Sequence, residues 1–250
     1  MLRGLIFDLG STLLYHQYDH RWAEILPRMQ ADLWAHLRGQ GYALEREAFI
    51  TRLTEKFREF DRQRQTDWAE YTTTWLIQST LREFGAPPLA PAAIAEARRA
   101  YYAYSETLWH PMPGLHPTLQ ALQQQGYRLA ILSNASDDGN VQRLIDNAAL
   151  RPYFDPIVIS AAVGWRKPNP KAFEVVLQTW QLPPADCAMI GDTLGADILG
   201  AQLAGLTDIW LVSHADHPAN VAHRGNIWPT HTLATLAELP QLLATLAQHG

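Results

Sequence analysis

The chain has 250 residues, 47% of them hydrophobic, which is enough to bury a substantial core and to build one large domain or two modest ones. That composition excludes a disordered chain. A formal net charge of −5 supplies no basic field for nucleic acid and no polybasic face for a membrane, so a small, anionic substrate would have to be attracted by local groups.

The run Leu5-Ile6-Phe7 reads as a short buried strand, and Asp8 follows it with the turn Leu9-Gly10-Ser11-Thr12-Leu13 behind. In an open α/β sheet, ligands bind outside the carboxyl ends of the strands, so an aspartate there is the usual seat of a nucleophile or metal ligand. The plainer alternative is an aspartate that caps a turn. Arg3 and Asp8 interrupt the apolar start, and no run approaches ~18 apolar residues; neither a signal peptide nor a membrane span is expected, and a cytoplasmic location is. Tyr15, His16 and Asp19 come next and are candidate hinge or lid residues by position.

After Leu13 four helical patterns run to about residue 108. Trp22, Ile25, Leu26, Met29, Leu33 and Leu37 recur at steps of three and four, as do Phe49, Ile50, Leu53, Phe57 and Phe60. Trp68, Tyr71, Trp75, Leu81 and Phe84 mark a third face, stopped by Gly85-Ala86-Pro87-Pro88, and Ile94, Ala97, Tyr101, Tyr104 and Leu108 a fourth. Aromatic residues at this spacing are read as bundle core before they are read as a ligand box.

Beyond His110-Pro111-Met112-Pro113-Gly114, helix and strand patterns alternate as βα units. Leu115 to Gln125 is a helix, and Arg128 to Leu132 a strand ending in Ser133-Asn134-Ala135-Ser136-Asp137, where a hydroxyl and free backbone N–H groups make a phosphate-holding arrangement. A helix from Val141 to Ala149 and a strand over Ile157–Ile159 follow. In Trp165-Arg166-Lys167-Pro168-Asn169-Pro170, Lys167 lies in extended chain before a proline, while Asn169 and Pro170 read as helix N-cap and first helical residue. Only Lys56, Lys167 and Lys171 among 20 cations are lysine, and a compact ammonium is what reaches between a phosphate and a carboxylate.

The last strands are Ala188-Met189-Ile190, leading to Gly191-Asp192, and Asp208 to Val212; a final helix covers Leu239 to Ala247. Asp192, with Asp197 on the first turn of the following helix, offers oxygen ligands that suit Mg²⁺. The single Cys187 forbids an intramolecular disulfide and reads as a packed core thiol. His214-Ala215-Asp216-His217 and His223 look metal-like, but Pro218 and Asn220 beside them favour a solvated loop.

Asp8 to Thr12, Ser133, Lys167, and Asp192 to Asp197, each at a strand end and in this order, resemble the four motifs of the haloacid dehalogenase superfamily of phosphohydrolases. The resemblance spans nearly the whole chain and implies a Rossmann-like, doubly wound parallel sheet, residues 1–15 and 109–250, with an inserted all-helical cap over 16–108. It implies that Asp8 is the nucleophile and that Ser133, Asn134 and Lys167 hold the phosphoryl group. Mg²⁺ is then held by Asp8, the Gly10 carbonyl and Asp192, with Asp197 behind them, and the substrate is a small phosphorylated metabolite. Gly10 departs from the pattern, because most phosphatases of the family carry a second aspartate there as general acid and base. Three readings stay open: a phosphatase without that acid, a 2-haloacid dehalogenase-type hydrolase, and an impaired binding protein on the same scaffold.

Overall fold

A computed structural model describes residues 1–17 and 22–249. Asp19, one of the expected hinge positions, lies outside the described residues, as does the side chain of Trp22. The chain opens with β1 (Gly4–Phe7) and β2 (Leu14–His16), and then runs through four helices, α1 (Trp22–Gly39), α2 (Arg46–Asp67), α3 (Thr73–Glu83) and α4 (Pro91–Glu106). It returns through β3 (Trp109–Pro111), α5 (Leu115–Gln124), β4 (Arg128–Ser133), α6 (Asp138–Asn147), β5 (Ile157–Ile159), α7 (Ser160–Val163) and α8 (Pro170–Trp180). The last part holds β6 (Cys187–Gly191), a π-helical turn over Leu194–Ile198, α9 (Leu199–Ala204), β7 (Thr207–Leu211), α10 (Pro218–Val221), β8 (His231–Leu233) and α11 (Leu239–His249).

Six strands form one parallel sheet in the order β5-β4-β1-β6-β7-β8. A parallel sheet is covered on both faces, which is why all four residues of β1 are buried and read as an unbroken apolar run. Alternation assigns its side chains: Leu5 and Phe7 join the cluster that contains α5 and α6, while Ile6 joins the one built around Phe173 and Val176 of α8. Gly4 permits this packing, since a Cβ there would meet the Trp180 ring at 2.5 Å. β1 lies between β4 and β6, with β4 and β5 laid to one side of it before β6 to β8 are laid to the other, so the crevice where ligands settle in such sheets opens at the carboxyl end of β1.

Helices α1 to α4 enclose a core of their own, in which Leu33, Leu37, Phe49, Leu53, Ile77 and Leu81 are all buried. The third helical pattern begins later than expected. Trp68 takes a left-handed conformation with φ 54 and ends α2, so Trp68 and Tyr71 sit in the connection before α3 and not in a helix. Both crossings between the sheet and the four helices run side by side, because β2 pairs antiparallel with β3, His16 opposite Trp109 and Tyr15 opposite His110. Short elements that the hydrophobic pattern did not reveal are β2, β3, α7, α10 and the edge strand β8. Cys187 is buried at the start of β6, and burial pushes its thiol up to about 11, which suits the core role. Among the described residues, no helix is long and apolar enough to cross a membrane.

The segment between α2 and α3 is fastened to the sheet domain. Glu70 N–H donates to Gly164 O at 2.9 Å, Arg166 N–H to Trp68 O at 3.1 Å, and Thr73 N–H to Ser136 O at 2.8 Å. The Glu70 carboxylate, 0% exposed, accepts from Ser136 Oγ at 3.0 Å, Ser160 Oγ at 2.7 Å and Arg166 Nη1 at 2.9 Å. Burial lowers the Arg166 pKa, against the pull of Glu70. Removing the carboxylate leaves a buried guanidinium without its partner, so Glu70→Ala is expected to cost about 3–5 kcal/mol, read as a shift of the urea unfolding midpoint, and Glu70→Gln less. A Glu70→Ala midpoint equal to that of the native chain would refute the buried-pair account.

Candidate active site

Asp8 continues the ladder past β1, its N–H donating to Ile190 O at 2.9 Å, and so it projects where β1, β4 and β6 all end. The turn behind it is tight: Leu13 N–H and Leu14 N–H both bond Leu9 O at 2.9 Å, and Ser11 is held at φ 60, in the left-handed region that non-glycine residues seldom occupy. Lys167 comes from the loop before α8. Its position is fixed by Asn134, whose side-chain amide donates to Lys167 O at 2.9 Å and accepts from Lys167 N–H at 2.8 Å. As the sequence predicts, Asn169 caps α8, accepting from Lys171 N–H at 3.1 Å, with Pro170 as the first helical residue.

The Lys167 ammonium has three donors and meets three acceptors: Asp8 Oδ1 at 2.6 Å, Leu132 O at 2.6 Å and Asp197 Oδ1 at 2.7 Å. The side chain is 1% exposed. Burial alone would lower its pKa, but the Asp197 and Asp8 charges outweigh burial and raise it. Asp8 is pushed up to about 6 by burial against the pull of Lys167. Asp192 rises well above the usual carboxylate range, through burial first and then through the charges of Asp8 and Asp197. One ammonium thus serves three carboxylates, Asp8, Asp192 and Asp197, whose oxygens lie within 4.8 Å of one another. This is an all-oxygen set with surplus negative charge, the donor chemistry that a hard divalent cation relieves. Among the described residues it is the one group of histidine, cysteine and carboxylate side chains close enough together to hold an ion.

The structure brings Asp8, Gly10, Ser133, Asn134, Lys167 and Asp192 onto the wall of a single cavity of about 680 Å³, with Asp197 at its back. Two details at the end of β4 differ from the sequence expectation, while Asp197 lies in the first turn after β6 as expected. The Asn134 side chain is committed to the Lys167 main chain, so what it can offer an anion is its backbone N–H. The next N–H, of Ala135, is not free: it donates to Ser160 Oγ at 2.8 Å. Asp197 lies on the π-helical turn and folds back so that Oδ2 accepts from Thr193 N–H at 2.9 Å.

The histidine-rich loop is exposed at Ser213, Asp216, Pro218 and Ala219, as the sequence reading expects of a solvated loop, but it is anchored from within by Asn220. Asn220, 1% exposed, donates to Asp192 O at 2.9 Å and His214 O at 2.8 Å and accepts from Leu194 N–H at 2.7 Å. Trp210 Nε1 also donates to Asp192 O at 2.8 Å, and His214 Nδ1 stands 3.6 Å from Asp192 Oδ2. The loop therefore braces Asp192. The sequence carried one signal for this, since His214 follows the end of β7 and strand ends line the crevice.

Comparison with known proteins agrees with this architecture. A family model described as haloacid dehalogenase-like hydrolase matches residues 2–205. The pyrimidine 5'-nucleotidase YjjG of Escherichia coli (strain K12) is 30% identical over 199 residues, 78% of this chain and 85% of that protein. Haloacid dehalogenase-like hydrolase domain-containing protein 3 of Bos taurus is 31% identical over 165 residues, 66% of this chain, and the matched part spans 64% of the length of that relative. A crystal structure of 2-haloacid dehalogenase from Pseudomonas syringae pv. Tomato DC3000 has a TM-score of 0.70 at 21% identity, covering 98% of this chain and 100% of that one, a likeness of fold.

Gly191 is where the site has least room. A Cβ there would overlap the Asp197 side chain. Gly191→Ala must push Asp197 off Lys167 and off Thr193 N–H, and overpacking of this kind costs about 1–3 kcal/mol, measurable by urea unfolding. An unchanged unfolding midpoint would mean that Asp197 has space to move.

Proposed function

Since the chain belongs to the haloacid dehalogenase-like hydrolase family, we propose that it is a Mg²⁺-dependent phosphatase of a small phosphorylated metabolite, working through an aspartyl-phosphate on Asp8. The observation that carries this reading is the 2.6 Å contact of Asp8 Oδ1 with Lys167 Nζ on the wall of a cavity that Asp192 shares. The nucleotidase relative supports the same class of substrate.

An Asp8 oxygen attacks phosphorus in line with the ester oxygen, the P–O bond to the alcohol breaks, and the electron pair leaves with that oxygen. Water then attacks the acyl phosphate, releasing phosphate and restoring the carboxylate, so one hard displacement becomes two easier ones. Ser133 and the Asn134 N–H hold the phosphoryl oxygens at the end of β4. Lys167 keeps Asp8 oriented, and it reaches a phosphoryl oxygen by exchanging one of its three acceptors for it. Asp8, Asp192 and the Gly10 carbonyl would hold the metal, and Asp197 fixes Lys167 behind them. When bound, Mg²⁺ would supply the positive charge that lets a carboxylate approach a phosphate. The helices of residues 16–108 act as a cap on a core of 1–15 and 109–250, moving at Tyr15 and His16 to admit substrate and closing to exclude water.

One observation favours a second reading. Gly10 brings no acid to the leaving group, as in halide displacement, where none is needed. Against it, a 2-haloacid carries its own carboxylate into a site that already holds three. Halide release from 2-haloacids without metal, and no phosphate release from any ester, would put dehalogenation in its place.

Asp8→Asn is expected to reduce phosphate release to background while circular dichroism stays native, and EDTA to abolish release until Mg²⁺ is restored. Native activity in either case rules out the mechanism. Lys167→Ala should lower kcat/KM about 10²- to 10³-fold, the cost of deleting one preorganised charge-stabilising donor. Lys167→Arg should recover little, because a planar fork cannot meet three acceptors converging on one nitrogen at 2.6–2.7 Å. Near-native kinetics in the arginine variant would show that charge alone suffices.

A further inference from the structure

The cavity is chemically lopsided. It holds the carboxylate and Lys167 cluster, but much of the rest of its lining is aromatic, contributed by Phe57, Phe60, Tyr71, Tyr101, Tyr102 and Trp109. At about 680 Å³ it exceeds what a phosphoryl group needs and falls in the range that encloses a drug-sized ligand. Whatever the phosphate is attached to must lie against those rings.

Both arginines of the lining are already partnered, as are several of its hydroxyls. Arg64 is held by Asp61 through Nη2 at 2.7 Å and Nε at 3.0 Å, and Arg166 by Glu70 at 2.9 Å. Thr73 Oγ1 and the Tyr102 hydroxyl bond each other at 2.6 Å, and the Tyr71 hydroxyl donates to Asp67 at 2.8 Å. Asp137, also on the lining, accepts from Arg98 at 3.0 Å and caps α6 through Asn140 N–H at 2.8 Å. A second anionic group on the substrate would find each arginine of the lining claimed by a carboxylate, and a buried charge left unpaired is costly.

Gly10 points the same way by a separate route. A Cβ at Gly10 would lie 3.5 Å from Cη2 and 3.7 Å from Cζ3 of Trp109, so the indole edge stands where a longer residue-10 side chain would reach. A leaving oxygen near residue 10 would meet a ring there and not a carboxyl.

We propose that the substrate is a phosphate monoester of an uncharged aromatic alcohol, its ring packed against Trp109 and the tyrosine wall, and not a phosphorylated hydroxy acid. The proposal rests on the phosphatase reading and narrows it. In the first step the phosphorus to aryl-oxygen bond breaks and the electron pair departs on the oxygen as a phenolate, which takes its proton from water afterwards. In the second, water attacks phosphorus, the bond to Asp8 breaks, and the proton from that water leaves with phosphate or solvent. A phenolate departs without a general acid, which an alkoxide does not, and each missing proton transfer is worth about 10²- to 10⁴-fold.

Two measurements test this. With Mg²⁺ present, kcat/KM is compared for phenyl phosphate, 1-naphthyl phosphate, 4-carboxyphenyl phosphate, phosphoglycolate and acetyl phosphate. Separately, calorimetry reads the binding of benzylphosphonate against phosphonoacetate, neither of which can be hydrolysed. The expected result is that phenyl and naphthyl phosphates exceed phosphoglycolate at least 100-fold and that the para-carboxylate removes most of the gain. Benzylphosphonate should bind about tenfold tighter than phosphonoacetate, as one well-packed ring pair allows, and Trp109→Ala should shrink that ratio severalfold. Phosphoglycolate turned over as fast as phenyl phosphate, or phosphonoacetate bound as tightly as benzylphosphonate, overturns the proposal and leaves the phosphatase reading standing. If no ester and no acetyl phosphate is cleaved while benzylphosphonate still binds preferentially, it is the phosphatase reading that fails, and the aromatic-ligand assignment survives.

Discussion

Three acceptors converge on the Lys167 ammonium, and most of the site's order follows from that convergence. Three carboxylates so close together would repel one another or take up protons if left alone; one buried cation, hydrogen-bonded to Asp8 and Leu132 O and ion-paired with Asp197, is the least that keeps Asp8 ionised and aimed. The surrounding chain is arranged to keep the ammonium there. Asn134 clamps its main chain from β4, Asp197 folds back from the π-helical turn, and Asn169 starts α8 directly after the loop. Charge is not fully cancelled, and the residual negative potential at the cavity floor is what a divalent ion would relieve.

The same loop is tied to the helices above. Arg166, next to Lys167, reaches Glu70, and Glu70 also holds Ser136, three residues beyond Ser133. The connection between α2 and α3 therefore touches both loops that would grip a phosphoryl group. Any movement of the helices relative to the sheet has to break or keep those buried bonds as a set, which makes the closed arrangement cooperative.

Much of this was legible in the sequence because the relevant signals are local. The apolar run before Asp8, the Asn-Pro start of α8 and the strand ends at Ser133 and Asp192 are all set by neighbours within a few residues, and the structure has them where the sequence puts them. What escaped was non-local. Nothing in the sequence around Glu70 announces a partner at Arg166, and Trp68 and Tyr71 keep a helical spacing although a left-handed residue has ended the helix. The histidine-rich loop was half legible: its prolines and polar residues describe an exposed turn correctly, but burial of Asn220 against Asp192 depends on a strand order that no local pattern contains. Asn134 was given to the phosphate site by position, while its amide is spent on a segment far along the chain.

The pairing of β2 with β3 brings the two ends of a long insertion to within one strand spacing of each other. A chain interrupted in this way behaves, for the sheet, as if it carried a hairpin, and a turn of about two residues would close it. Loop-closure entropy grows only slowly with length, so the sheet hardly registers whether that hairpin is tipped by a turn or by four helices. Such a junction is a socket. It lets the inserted helices be exchanged, lengthened or transplanted as a cassette while the sheet keeps its fold, and it marks the place to cut when grafting a different insertion onto this scaffold.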